Sequence, residues 1–209
     1  MILWTIQPYN MWEDFQKEKI FYTKKPLHLY DKEWSTFEWR MSYAWMIVQM
    51  RKRIGNSPKG IKWPVWAWFQ YLDKKRKKPD LRYSEFKKHE KSVRIEIEVP
   101  KNEVLLSDYS LWHLPLNKGP IFKNMKEDKD FDRRLEKSIG MELHKYPSNK
   151  PYPEPFHSEM LKNWEHIFEM KKITRSKYLG ADAFKDKIIQ ATLWKFTIDQ
   201  VRDFTVFGN

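Results

Sequence analysis

The densest run of charge in this sequence follows directly after a segment rich in aromatic residues. Five consecutive basic residues occupy positions 74–78, and they are Lys74, Lys75, Arg76, Lys77 and Lys78. Basic side chains in a loop can contact phosphate groups, and aromatic rings beside them can stack on nucleic-acid bases. A solvated hairpin tip without a ligand has the same composition. The run therefore indicates either a nucleic-acid-binding arm or a simple connection between strands.

Two aspartates and an arginine beyond this run could also do chemistry. Arg82 follows Asp80 by two residues, so its planar guanidinium can hold a carboxylate or phosphate, or can form a local ion pair that ends the loop. Asp108 can cap a helical turn that contains Leu111 and Trp112, or it can serve as a catalytic acid. Both roles stay open for each of these residues.

Trp66 and Trp68 alternate within the segment WPVWAWFQY at residues 63–71, which is apolar on both faces of a predicted strand. Such a strand lies in the centre of a sheet with both faces covered, or it lines a pocket with one face. In the second case the two indole rings would form a wall for a flat ring such as a nicotinamide or a base. In the first case they belong to the core, as most tryptophan pairs in strands do.

Composition limits the kinds of site that the chain can form. Its 209 residues carry a formal net charge of +12, and 41% of them are hydrophobic, including eleven tryptophans. This apolar content supports a sizeable core, and the positive charge favours nucleic acid, nucleotides or acidic surfaces as partners. Without cysteine the chain forms no disulfide or thiolate zinc site, and its six scattered histidines lack the spacing of a zinc hydrolase. We therefore expect no metal.

The sequence shows neither a membrane span nor a signal peptide. No stretch reaches roughly 18 uncharged residues, and the N-terminus lacks a basic start followed by a long apolar run. We expect a cytoplasmic monomer that makes no membrane contact.

Hydrophobic periodicity predicts an α+β fold with a small central, mostly antiparallel sheet flanked by helices. One domain is expected over residues 1–209, with a looser, proline-rich region at about 117–156. Helices are expected to begin at caps Asn10 and Ser35, to cross residues 128–139 and to begin near Ser158. Predicted strands lie at residues 2–7, 63–71, 93–99 and 104–106, with a strand pair at 188–198 and 201–207 that closes the sheet.

Several long blocks of the sequence together are typical of one family. They are the start MILWTIQP, the block WPVWAWFQY with the following KKPDLR, the block VLLSDYSLWH, and the ending IQATLWKFTIDQVRDFTVF. With these blocks, which span nearly the whole chain, the sequence resembles a small bacterial family filed as domain of unknown function 3841. The family name implies no activity.

The opening order of strand, loop, helix and short extended segment is similar to that of ADP-ribosyltransferase folds, including their DNA-modifying toxin branch. In those proteins the first strand supplies a His or Arg that holds the NAD ribose, and Thr5 falls near that place. A near-terminal strand of those enzymes carries a Gln-x-Glu or Glu-x-Glu motif, and Gln190-Ala-Thr192 occupies the comparable stretch. Thr5 and Thr192 both depart from the family pattern. Because threonine supplies no negative charge, the resemblance implies an altered or degenerate site.

This second resemblance implies that NAD is a substrate and that no cofactor is bound permanently. It assigns catalysis to Gln190, with an acid borrowed from Asp108. Together with the residues singled out above, the candidate cofactor-binding residues are Thr5, Gln7, Trp66, Trp68, Asp80 and Arg82.

Three hypotheses of function follow from these observations. The first is a transferase or NAD-cleaving enzyme with a basic, tryptophan-lined cleft. The second is a non-catalytic nucleic-acid-binding protein that uses residues 74–78. The third is a protein-interaction module whose exposed tryptophans anchor a partner.

Overall fold

The structure of the protein is a computed structural model, and it describes residues 1–24, 26, 36–83, 90–170 and 184–208. Contacts between residues divide the chain into two compact units, each built from separate stretches. Unit 1 comprises Met1–Pro26, Ile47–Ser107 and Ile188–Asn209, and unit 2 comprises Leu27–Met46 and Asp108–Lys187.

The described part of the chain contains five α-helices and eight strands. The α-helices are α1 (Tyr9–Glu18), α2 (Phe37–Ile54), α3 (Tyr109–Leu116), α4 (Met125–Ile139) and α5 (Phe156–Asn163). The strands are β1 (Ile2–Pro8), β2 (Ile20–Phe21), β3 (Val65–Gln70), β4 (Ser92–Glu98), β5 (Leu105–Asp108), β6 (Ile189–Leu193), β7 (Phe196–Thr197) and β8 (Val201–Phe207). Short 3-10 helices lie at Lys101–Glu103, Leu143–Lys145, Trp164–Phe168, Phe184–Asp186 and Ile198–Gln200.

A six-stranded sheet forms the centre, with the strand order β5-β6-β3-β1-β4-β8. Strand β1 pairs antiparallel with β3 and β4, β6 pairs antiparallel with β3, and β8 pairs antiparallel with β4. Strands β2 and β7 form a separate two-stranded sheet. The predicted α+β class with a central sheet is confirmed.

The predicted pairing of the two C-terminal strands with each other is wrong. Strand β6 lies between β5 and β3, whereas β8 lies at the opposite edge of the sheet against β4. Burial explains the separation, because all five residues of β6 are buried and require neighbours on both sides. No residue of β8 is fully buried, as suits an edge strand.

One face of the sheet carries the core of unit 1. Alternation along β1 and β4 directs Leu3 of β1 and Ile95 of β4 to this face, where α1 contributes Trp12 and Phe15. Each fully buried side chain of this size stabilises the fold by about 1.5–3 kcal/mol relative to an exposed one. The remaining members of the cluster are Phe21, Val65, Ala67, Val93, Ile97, Val99, Val104, Ala191, Leu193 and Phe196.

Local capping signals account for most helix ends. Gly55 adopts a left-handed φ of 92° directly after α2, a conformation that glycine adopts without steric strain at helix ends. Helix α4 begins before the predicted residue 128 because the Asn124 side chain accepts hydrogen bonds from two backbone N–H groups of the first turn. Asn10 is not a cap, since α1 already begins at Tyr9, directly after Pro8. The predicted cap Ser35 lies outside the described residues.

Aromatic packing and the contacts of the buried Lys118 stabilise unit 2. Trp164 is fully buried, donates a 2.8 Å hydrogen bond to the Gly119 carbonyl and lies edge-on to the Trp45 ring at 5.4 Å. The Lys118 ammonium donates to three carbonyls within residues 147–150 at 2.8–3.4 Å and lies 4.5 Å from the centre of the Tyr152 ring. Burial lowers the pKa of Lys118. This region, although rich in proline, therefore contains defined contacts.

Candidate functional site

The register of the sheet separates the residues that the sequence grouped into one cleft. Thr5 lies opposite Ile95, a core residue, and only 1% of Thr5 is exposed. Its hydroxyl donates to the Trp66 carbonyl at 2.9 Å and accepts from the Gln7 amide at 2.6 Å. Because alternate residues of a strand point to opposite faces, Thr5 and Gln7 lie on the core face. They do not share a cleft with the predicted tryptophan wall.

Trp66 and Trp68 lie together on the other face of the sheet. Trp68 is directly opposite Trp4 of β1, and Trp4 donates a 2.7 Å hydrogen bond from its indole nitrogen to Glu96. The Trp68 ring lies edge-on to Tyr71 at 5.2 Å. Both Trp66 and Trp68 are half-buried, so part of each side chain is accessible to solvent.

Gln190 and Thr192 of β6 share this second face, because they lie opposite Trp68 and Trp66 in the antiparallel register. Gln190 is 4% exposed, and its side-chain nitrogen has no hydrogen-bond partner in the described part of the chain. The hydroxyl of buried Ser107 likewise has no partner among the residues that the structure describes. Buried polar atoms in native proteins nearly always have partners, so such atoms commonly bind water or a ligand.

A loop over residues 71–83, called the basic loop below, follows β3 and contains the run at positions 74–78. Backbone hydrogen bonds close it like a hairpin, from the Tyr71 N–H to the Lys77 carbonyl at 2.9 Å and from the Leu72 N–H to the Arg76 carbonyl at 3.1 Å. At the tip, the Asp73 carboxylate accepts from the backbone N–H groups of Lys75 and Arg76 at 2.8 and 2.9 Å. The loop thus has a defined backbone conformation.

Some basic side chains of this loop contact other residues, and others are exposed without an ion pair among the described residues. Lys78 lies 3.4 Å from Glu96 and 3.3 Å from Asp203, and Lys77 lies 5.0 Å from the centre of the Phe69 ring. Lys74 and Lys75 are exposed, and within the described ranges neither forms an ion pair. Lys77 and Lys78 therefore hold the loop against the strands, whereas Lys74 and Lys75 present positive charge to solvent.

Two arginines of the basic loop pair with aspartates of the same loop. Arg76 and Asp73 approach to 2.5 Å, and Arg82 and Asp80 approach to 2.5 Å with two guanidinium nitrogens engaged. Hydrogen bonds from Arg82 hold the pKa of Asp80 at about 2. The Arg82 side chain nevertheless remains 89% exposed, so its outer face is accessible to an anion.

Arg94 supports the basic loop from the sheet. Its guanidinium donates to the Pro79 carbonyl at 2.7 Å and to the Thr205 hydroxyl at 3.0 Å. Arg94 is not among the site residues that the sequence indicated. The sequence contained no signal for this contact, because the packing of a loop against a strand depends on tertiary structure.

Tyr83 is a surface residue that sequence reasoning missed. Its ring is 40% exposed and lies 6.4 Å from Tyr71, inclined at 39°. It directly follows the exposed Arg82, and the exposed Arg76 lies in the same loop. An aromatic residue directly after the sequence Asp-Leu-Arg was the only available hint.

Asp108 caps α3, as one of its two interpretations predicted. One carboxylate oxygen accepts from the Leu111 N–H at 3.2 Å, and the other accepts from the Lys187 ammonium at 2.6 Å. Both side chains are buried. Both carboxylate oxygens are therefore engaged in contacts within the fold.

The described residues contain no group of three or more histidine, aspartate or glutamate side chains that could hold a metal ion. Within the same ranges, no helix has the length and apolar character required to cross a membrane.

Comparison with known proteins places the chain in a family but gives it no activity. Neither the curated proteins nor the solved structures include a match, so the ADP-ribosyltransferase-like fold stays a prediction. A family model described as Domain of unknown function (DUF3841) matches residues 2–202. Since this match covers nearly all of the chain, the protein belongs to the DUF3841 family.

Proposed function

We propose that the protein binds nucleic acid and that the basic loop is its contact surface. The observation that carries this proposal is the combination of a defined loop backbone with open positive side chains. Lys74 and Lys75 project from a tip whose conformation Asp73 maintains through two backbone hydrogen bonds. Exposed Arg82 lies in the same loop.

Charge supports the same proposal. The loop contains six basic residues and two aspartates, which gives it a net charge of +4 within a chain of net charge +12. Phosphates bound by lysine and arginine release condensed counterions, and this release provides most of the affinity in sequence-independent binding. A preordered loop also loses less conformational entropy when it binds.

The proposal is tested by fluorescence anisotropy with a labelled oligonucleotide at low salt. We expect the double variant Lys74→Ala/Lys75→Ala to bind several-fold more weakly than the wild type. The matched control is Lys126→Ala/Lys129→Ala, which removes the same charge from exposed positions of α4 in unit 2. Equal losses in both variants would assign binding to net charge alone and would contradict a role for the loop.

We propose a second candidate function, in which a nucleotide such as NAD binds against Trp66 and Trp68. One observation favours it, namely the nitrogen of the buried Gln190 amide, which has no partner in the described part of the chain and lies on the tryptophan face. A titration of NAD followed by tryptophan fluorescence tests it. Saturable quenching that disappears in Gln190→Ala supports this candidate, whereas no response at millimolar NAD rejects it.

A further inference from the structure

We infer that the basic loop selects single-stranded over double-stranded nucleic acid by stacking an unpaired base on Tyr83. This inference rests on the proposed nucleic-acid binding and assigns a role to a residue outside the run at positions 74–78.

The surroundings of Tyr83 suit a stacking platform. The ring packs against Tyr71, which is buried and in turn lies edge-on to Trp68. Tyr83 thus ends a row of three aromatic rings that extends from the sheet to solvent. Because the ring is supported from the inside and 40% exposed, a base can stack on it without displacing protein contacts.

Positive charge lies beside this ring. Arg82 directly precedes Tyr83 and Arg76 lies in the same loop, and their side chains are 89% and 63% exposed. A nucleotide bound here can therefore place its base on the tyrosine and its phosphate against the exposed side of Arg82. Pairs of an aromatic platform and basic side chains are the usual means of binding single strands without sequence preference.

A double helix cannot use the tyrosine in this way, because its bases are stacked within the duplex. It offers only phosphates to the loop, and extruding a base requires breaking its pairing and stacking. Duplex affinity should therefore depend on the lysines and arginines alone. Stacking of one base on an aromatic ring typically strengthens single-strand binding by roughly 5- to 150-fold.

The test compares a 12-nucleotide single strand with the duplex of the same sequence in anisotropy titrations. We expect Tyr83→Ala to weaken single-strand binding by about 5- to 150-fold and to leave duplex binding within about twofold of the wild type. Tyr83→Phe keeps the ring and should bind like the wild type. The charge variant Lys74→Ala/Lys75→Ala should weaken both ligands.

Each outcome decides between specific alternatives. If Tyr83→Ala leaves single-strand affinity unchanged, or weakens both ligands equally, the stacking inference is wrong while nucleic-acid binding stands. If the wild type binds neither ligand at low salt, the proposed function itself fails. A second measurement needs no variant: a 2-aminopurine base in the single strand should be quenched on binding, and an unquenched base in a bound complex overturns the inference.

Discussion

Replacing Asp108 tests whether this residue stabilises the fold through its two contacts. Its carboxylate performs two separable tasks, since one oxygen caps α3 and the other accepts from Lys187 at 2.6 Å. Asp108→Asn keeps an oxygen that can cap the helix but removes the charge. Asp108→Ala removes both, and the difference between the two variants isolates the cap.

The expected magnitudes follow from these contacts. Breaking a buried ion pair by removing one partner typically destabilises a protein by about 3–5 kcal/mol, because the other charge stays buried. We expect this loss for Asp108→Asn and for Lys187→Met. Loss of the cap adds about 1 kcal/mol in Asp108→Ala. The double variant Asp108→Asn/Lys187→Met should be destabilised by clearly less than the sum of its single variants, because no charge remains buried.

Urea unfolding followed by tryptophan fluorescence measures these free energies. The reasoning is refuted if Asp108→Asn unfolds within about 0.5 kcal/mol of the wild type, a shift typical of surface substitutions. It is also refuted if the effects of the two single variants simply add in the double variant, since contacting residues should show coupling.

Two further predictions concern single side chains. Carbon-detected NMR titration of Asp80 should give a carboxyl pKa of about 2, because Arg82 stabilises the charged form. This pKa in the folded state lies below that of the unfolded chain. The contribution of the Asp80–Arg82 pair to folding stability is therefore complete above about pH 4 and is lost as the pH falls through about 2. A measured pKa near 3.8 would contradict the bidentate pair. Lys118→Met should lower the unfolding free energy by about 1–3 kcal/mol, because three carbonyls of residues 147–150 lose their donor. An unchanged thermal midpoint would contradict the proposed anchoring.

Local signals in the sequence predicted several elements of this fold. The strict alternation of Val93, Ile95 and Ile97 identified β4 because only one of its faces is buried in the core. Asp108 marked the beginning of α3, because a helix cap depends on residues within one turn.

Long-range pairing was the part that sequence reasoning could not supply. Strands β6 and β8 both look like sheet-closing segments, but their places at different positions in the strand order depend on partners far along the chain. The predicted cleft failed to assemble for the same reason. Thr5 and Gln7 have odd positions in β1 that point to the core, whereas the tryptophans point to the other face.

The basic loop shows both what the sequence could predict and what it could not. Its charge was visible in the sequence, but the anchoring of Lys78 by Glu96 and Asp203 depends on strands that lie elsewhere in the chain. The exposure of Tyr83 depends on the path of the loop and therefore could not be inferred from its neighbours in sequence.

The central claim, nucleic-acid binding by the basic loop, is tested most directly by the salt dependence of oligonucleotide affinity. If the loop engages three or four phosphates of a single strand, the logarithm of the binding constant should fall against the logarithm of salt concentration with a slope of about −2 to −3. Lys74→Ala/Lys75→Ala should make this slope shallower by about 1.4, at about 0.7 per phosphate contact, and the Lys126→Ala/Lys129→Ala control should not. Absence of binding at low salt, or a slope that both variants change equally, would contradict the account.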